Sequence, residues 1–147
     1  MVLQITLGVA LILATTLVAG VGYLTLEAVL VRYQNWLLRP PHAGKMLVAL
    51  CGAVGWFLMI MTAAVWMWAL AFLLLDVFVT VEAAVYFSIV SFTTLGFGDI
   101  LLPMKWRLLA GMAAINGLLM IGLQTAMLIE VMRRVRAIQG KGSGWIS

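Results

Sequence analysis

Charge is scarce in this chain, and acid is scarcer than base. Only 10% of the 147 residues are Asp, Glu, Lys or Arg, five acidic against nine basic, where soluble domains carry about 25%. Cysteine is nearly absent. Cys51 stands alone inside an apolar run beside Gly52, which excludes an intrachain disulfide and leaves packing as its role. The single histidine, His42, sits beside Pro41 with no second metal-ligand type nearby. What is abundant is hydrocarbon, with 65% of residues hydrophobic. A soluble protein this small cannot hide so much apolar surface. A soluble enzyme, a nucleic-acid-binding domain and a disordered chain are therefore all excluded. The net charge of +4 reads as topology signal, because the basic residues stand at the ends of apolar segments.

A helix needs about 20 apolar residues to cross the hydrocarbon core. Val2 to Val31 carries only Glu27, and Met46 to Leu75 and Leu108 to Ile129 carry no charge. These three segments are predicted transmembrane helices, the first two long enough to tilt. The first lacks a basic n-region and is too long for a signal-peptide core, so it is expected to remain in the protein. Its small residues, Ala10 with Ala14 or Thr16 with Gly20, are expected to let another helix approach closely. A fourth apolar stretch, AAVYFSIVSFTTLGFG between Glu82 and Asp99, is slightly short for a span and is broken by alternating glycines.

Charge parity decides between crossing and re-entry. The linker carries Arg32, Arg39 and Lys45 around a Pro40-Pro41 break, and the tail carries Arg133, Arg134, Arg136 and Lys141. Both are predicted to be cytoplasmic, so an even number of crossings separates them. The second and third spans supply two. The fourth stretch then dips in from outside and returns, the N-terminus lies outside, and Lys105 and Arg107 are the outer exceptions. Non-helical backbone at membrane depth is tolerated only inside protein or along a water-filled cavity, which points to a pore.

Within that stretch, Thr80 is placed to cap a short helix from Val81 to about Thr93, with Glu82 in its first turn. The helix would run inward and turn its carbonyl end, which favours a cation, toward the membrane centre. Thr94-Leu95-Gly96-Phe97-Gly98-Asp99 would return extended, the alternate glycines permitting torsions that turn successive carbonyls to one side. This run resembles the potassium-channel signature Thr-Val-Gly-Tyr-Gly-Asp. From Met46 to about Arg136 the order outer helix, pore helix, filter, inner helix is similar to that of the two-helix prokaryotic potassium channels, with one additional helix in front.

The resemblance implies an all-α membrane protein built as a tetrameric pore. It implies an outer helix over 46–75, a pore helix over 81–93, a filter over 94–99 and an inner helix over 105–136. Residues 1–45 form the first helix and basic linker, and 137–147 a flexible tail containing Gly140, Gly142 and Gly144. The carbonyls of Thr94, Leu95, Gly96 and Phe97 would bind K+, with Gly98 completing the filter, the Thr94 hydroxyl closing its cytoplasmic end and Asp99 at the outer mouth. Tyr86 and Phe87 would support the filter, Tyr86 by donating to Asp99. Leu95 and Phe97 depart from the usual Val and Tyr, and Phe97 has no hydroxyl to tether the filter. Val90 stands where some relatives place a carboxylate.

On the inner helix, Trp106 and Arg107 mark the outer interface. Gly117, and after it Gly122, are candidates for a hinge or for close packing. Asn116, Gln124 and Thr125 are polar at membrane depth and should face protein or water, the pore cavity being one such place. Met112, Met120, Met127 and Met132 read as adaptable packing. Glu27 is expected to pair with Arg32 or a tail arginine, and Glu130 with Arg133 and Arg134. The first helix has no regular arginine series, which argues against an S4-type voltage sensor, and no gating domain is expected after Arg136. The expected function is passive, potassium-selective permeation by a homotetramer in the cell membrane. Monovalent cations and membrane lipids are its partners, with no nucleic acid, no cofactor beyond the permeant ion and no catalysis. A weakly selective cation channel and a non-conducting accessory protein with a vestigial filter are the alternatives.

Overall fold

Three long helices form wherever the chain runs uncharged for more than about 20 residues. In the computed structural model, which describes residues 1–39 and 41–142, these are α1 (Val2–Arg32), α3 (His42–Leu74) and α5 (Arg107–Gly142). All three are long and apolar enough to cross a membrane, and the chain is a multi-pass membrane protein. A four-residue helix α2 (Gln34–Leu37) lies between α1 and α3. A twelve-residue helix α4 (Val81–Phe92) and a 3-10 turn (Met104–Trp106) lie between α3 and α5. No strand occurs among the described residues. Pro40 and residues 143–147, Gly144 among them, lie outside the described residues, as do the side chains of His42 and Lys141.

Helix α4 is about 18 Å long at 1.5 Å per residue, well short of the roughly 30 Å hydrocarbon core. It packs on both α3 and α5. Aromatic rings fix the α3–α4 seam. Trp68 and Phe72, one turn apart on α3, meet Phe92 (6.4 Å) and Phe87 (5.4 Å) respectively. Phe78, in the link, closes on Phe72 and Phe87 at 6.0 and 5.3 Å. Edge-on and tilted pairs at these spacings add about 0.5–1.5 kcal/mol each beyond their burial.

Helix α1 lies against α5 and α3 of its own chain. Its buried stripe is Gln4, Gly8, Thr15, Ala19, Gly22 and Leu30, a helical spacing. The packing residues expected from composition were Ala10 with Ala14 or Thr16 with Gly20. Instead Ala10 and Thr16 are exposed, and a Cβ on Gly20 would touch nothing within 4 Å. The close approaches are at Gly8, where Met112 fills the space of a side chain, and at Gly22, where Ile60 does.

Two polar fastenings reinforce the α1–α5 seam. At mid-depth Asn116 Nδ2 donates to Thr15 Oγ1 at 2.9 Å, and Thr15 Oγ1 lies 2.9 Å from the carbonyl oxygen of Ile12. Asn116 and Thr15 are both fully buried. At the end near the linker Arg134 joins Glu27 of α1 to Glu130 of its own helix, the latter at 3.1 Å. Of the expected pairings, Arg134 rather than Arg32 takes Glu27. Removing either partner of the mid-depth pair leaves a polar group unmet in an apolar seam. Asn116→Ala and Thr15→Val should each destabilise the chain by about 1–2 kcal/mol. The double variant should fall short of the sum, as read by thermal unfolding in detergent; strict additivity would show that the pair is not coupled.

Helix α5 runs past residue 136, where the flexible tail was expected to begin, and reaches Gly142. The reason is a continuing apolar stripe. Val131 and Val135 are buried and Ile138 packs against the core, and Gln34 of α2 shares a cavity wall with Ala137 and Ile138 at this same end. Helix α2 itself went unforeseen. Leu37 is its buried anchor, with Tyr33 and Trp36 exposed beside it, the pattern of an interfacial turn.

Candidate functional site: a short helix ending in a glycine loop

Helix α4 starts where the sequence places its cap. Thr80 is extended, its hydroxyl accepts the Ala83 N–H at 3.3 Å, and Glu82 lies in the first turn. The depth of its other end follows from α5. A Cβ on Gly117 would lie 2.2 Å from the Phe92 carbonyl oxygen, and Gly117 is ten residues into α5, about 15 Å along its axis. The carbonyl end of α4 therefore lies about 15 Å along α5 from its first residue, a distance equal to about half the thickness of a hydrocarbon core.

The chain leaves α4 through a defined hydrogen-bond pattern. The Thr94 N–H bonds to the Ser91 carbonyl at 3.0 Å and the Leu95 N–H to the Val90 carbonyl at 3.1 Å, while Thr94 takes φ +56°. This is a Schellman ending with a threonine in the left-handed position that glycine usually fills. The same ending closes α3, with Asp76 at φ +52° and bonds from Asp76 to Leu73 and from Val77 to Phe72. An aspartate tolerates that torsion. A β-branched threonine is a genuine outlier there, strained by about 1–2 kcal/mol.

The left-handed torsion then recurs at every second residue, with Gly96 at +54° and Gly98 at +77°. Leu95 and Phe97 between them have no positive φ, so the handedness alternates along the loop. Phe97 is 65% exposed and Leu95 56%, so the loop is held at its root by α4 and its flanks are uncovered within one chain.

At the far end of the loop Tyr86 Oη donates to Asp99 Oδ2 at 2.7 Å, as expected. This bond holds the Asp99 carboxyl below its ordinary value, helped by the backbone N–H groups of Asp99 and Ile100, and it pushes the Tyr86 phenol up. A lowered carboxylate pKa means a link that is complete above the ordinary carboxylate range and lost only as pH falls through the lowered value. Ion flux should therefore be insensitive to this group from neutral pH down to the ordinary carboxylate range. Tyr86→Phe should move the acid limb of the flux–pH profile upward; an unmoved limb would remove Asp99 from it. Phe87 is buried against Phe72 and Phe78, and so secures α4 to α3.

The α5 residues separate. Gly117 is a close-packing site, since its missing side chain admits the Phe92 backbone. Gly122 faces open space. Asn116 faces α1, not a water-filled cavity. Thr125 is exposed and bonds back to Ile121 at 2.8 Å. On the uncovered face of α5, Gly111, Ile115, Leu118, Gly122, Thr125 and Ile129 recur at helical spacing. Sequence reasoning missed Thr15, Trp68, Phe72 and Phe92. The i,i+4 pair Trp68–Phe72 was the one readable signal.

Among the described residues no three acidic, His or Cys side chains gather to hold a metal. No curated protein and no solved structure matches the chain. Residues 60–134, just over half of the chain, match the family model described as "Ion channel", and that segment contains the end of α3, all of α4, the glycine loop and most of α5. The chain belongs to this ion channel family, and its region 60–134 is a two-helix ion channel domain.

Proposed function

We propose that the protein is a potassium-selective channel in the cell membrane, passing K+ passively through a fourfold ring of chains. The observation that carries this reading is the alternation of left-handed torsions at Thr94, Gly96 and Gly98 directly beyond the carbonyl end of α4. A backbone with that alternation presents the carbonyls of Thr94, Leu95, Gly96 and Phe97 in series, and a ring of such carbonyls replaces the hydration shell of an alkali cation. One chain supplies one quarter of the ring and leaves Leu95 and Phe97 uncovered; neighbouring copies about a closed axis would cover them. The uncovered α5 face, with Gly122 and Thr125, is then available to line the cavity and the subunit contacts. In this reading the N-terminus is outside, the basic linker and the C-terminal end of α5 are cytoplasmic, and Asp99 with Tyr86 forms the outer mouth.

Weaker selectivity is the second reading, favoured by Phe97, which has no hydroxyl to anchor the ring. Purified chain in liposomes under opposed potassium and sodium gradients tests both. A reversal potential near the potassium equilibrium value supports the first. Equal permeability supports the second and overturns the first. Absence of flux across tested pH and voltage supports a non-conducting role. Cross-linking that traps dimers and never tetramers would overturn the fourfold ring.

A further inference from the structure

One cavity has no residue of the glycine loop in its wall. It occupies about 460 Å³ between the second half of α1, α2 and the first half of α3, walled by Leu26, Leu30, Trp36, Ala49, Gly52 and Trp56 among others. It exists because α3 offers small residues, Ala49, Gly52 and Ala53, to the leucines of α1 and α2. Every residue lining it lies before position 60, outside the segment that matches the channel family. It is formed by the additional helix and linker against the first half of α3.

The wall suits hydrocarbon. The polar atoms that Thr25 and Trp56 bring to it are already taken. Thr25 Oγ1 and Trp56 Nε1 both donate to the Gly22 carbonyl, at 2.7 and 2.9 Å. Its volume is in the range of about 300–1,000 Å³ typical of small-molecule sites. The slot is open to its surroundings, and in a bilayer the adjacent solvent is acyl chain.

The rim suits an anion. Tyr33 and Trp36 are exposed beside the cavity. Lys45 Nζ lies 4.7 Å from the centre of the Trp36 ring and donates to the carbonyls of Trp36 and Arg39. Arg32 and Arg39 are exposed on either side of α2. From Ala28 to Leu75 the sequence contains no Asp or Glu. Three cations thus stand in the segment that carries Tyr33 and Trp36 of the slot, without one counter-charge in that segment, and basic clusters of this kind attract lipid phosphates.

We infer that this cavity is a specific site for an anionic phospholipid, with one acyl chain between α1 and α3 and the headgroup phosphate among Arg32, Arg39 and Lys45. The site does not depend on ion conduction, and its test does not read flux. The full chain is incubated with equal amounts of dioleoyl phosphatidylglycerol and dioleoyl phosphatidylcholine, and retained lipid is counted by native mass spectrometry. Phosphatidylglycerol should be retained over phosphatidylcholine by about tenfold, a conservative figure for three partly exposed cations. Gly52→Phe fills the slot, since a Cβ at Gly52 meets nothing within 4 Å, and should lower retained phosphatidylglycerol by a similar factor with helicity and oligomer mass unchanged. Ala49→Leu is a second filler with the same expectation, should Gly52→Phe fold poorly. Arg32→Gln with Arg39→Gln should keep bound lipid but erase the preference. Equal retention of the two lipids by the parent chain overturns the site. So does undiminished phosphatidylglycerol on both fillers. A filler that alters oligomer mass while retention stays constant also overturns it, assigning the slot to a second copy of the chain.

Discussion

Gly117→Ala should abolish ion flux and destabilise the chain by about 1–3 kcal/mol or more, the range for overpacking a filled core. The added methyl would lie 2.2, 2.6 and 2.7 Å from the carbonyl oxygen, Cα and carbonyl carbon of Phe92. All three are backbone atoms, so no rotamer change relieves the clash; either α5 or the end of α4 must move. Phe92 cannot yield easily, because its ring is 2% exposed and stands edge-on to Trp68. The residues that follow it hang from the same turn through the Thr94–Ser91 and Leu95–Val90 bonds. A displacement there is passed directly to the glycine loop. Gly122→Ala is the contrast. Its methyl meets nothing within 4 Å, and alanine is favoured over glycine in a helix by about 1 kcal/mol, so its unfolding temperature should equal or exceed the parent's. Circular dichroism melts in detergent and liposome flux decide the matter. Parent-like flux in Gly117→Ala would mean that the α4–α5 contact does not hold the loop.

Gly96→Ala should abolish flux and leave folding almost untouched. At φ +54° alanine is strained by about 1–2 kcal/mol, and the escape is a rotated peptide plane that takes one carbonyl out of the row. In the proposed ring of four chains the fault would be repeated at every corner of the same ion position. The loop is exposed within the chain and contributes nothing to the helical core, so helicity and melting should stay near the parent values. Loss of flux at unchanged stability separates this variant from Gly117→Ala, which loses both. Unchanged flux would remove the loop from the conduction path.

The two glycines also mark how far the sequence could be read. The three long helices follow from uninterrupted hydrocarbon. Helix α4 follows from Thr80 and Glu82 at one end and the glycine alternation at the other, because caps and left-handed positions are local chemistry. The Tyr86–Asp99 link was legible through the resemblance. The seam of α1 was not. A helix in water shows its buried face by an apolar stripe against a polar one, but α1 is apolar all round, and lipid is as apolar as a neighbouring helix. Nothing in its composition distinguishes Gly8 and Gly22, which are packed, from Gly20, which is not. Asn116 was legible as a residue that must avoid lipid, but not as the partner of Thr15, since that pairing joins positions 101 residues apart. Helix α2 and the extension of α5 to Gly142 were missed for a related reason. Both are stabilised by each other's apolar side chains, and neither is long or apolar enough to stand out alone.

The fastening of α1 to α5 sets a mechanical condition on any opening. Glycine–methionine contact near one end, an amide–hydroxyl pair at Asn116 and a carboxylate–guanidinium pair at Arg134 tie α5 to α1 at three points along its length. Helix α1 is held in turn to α3, where Trp56 donates to the Gly22 carbonyl and Ile60 fills the notch beside it. A swing of α5 would therefore strain both neighbours at once, and the additional helix acts as a splint between the two helices of the channel domain.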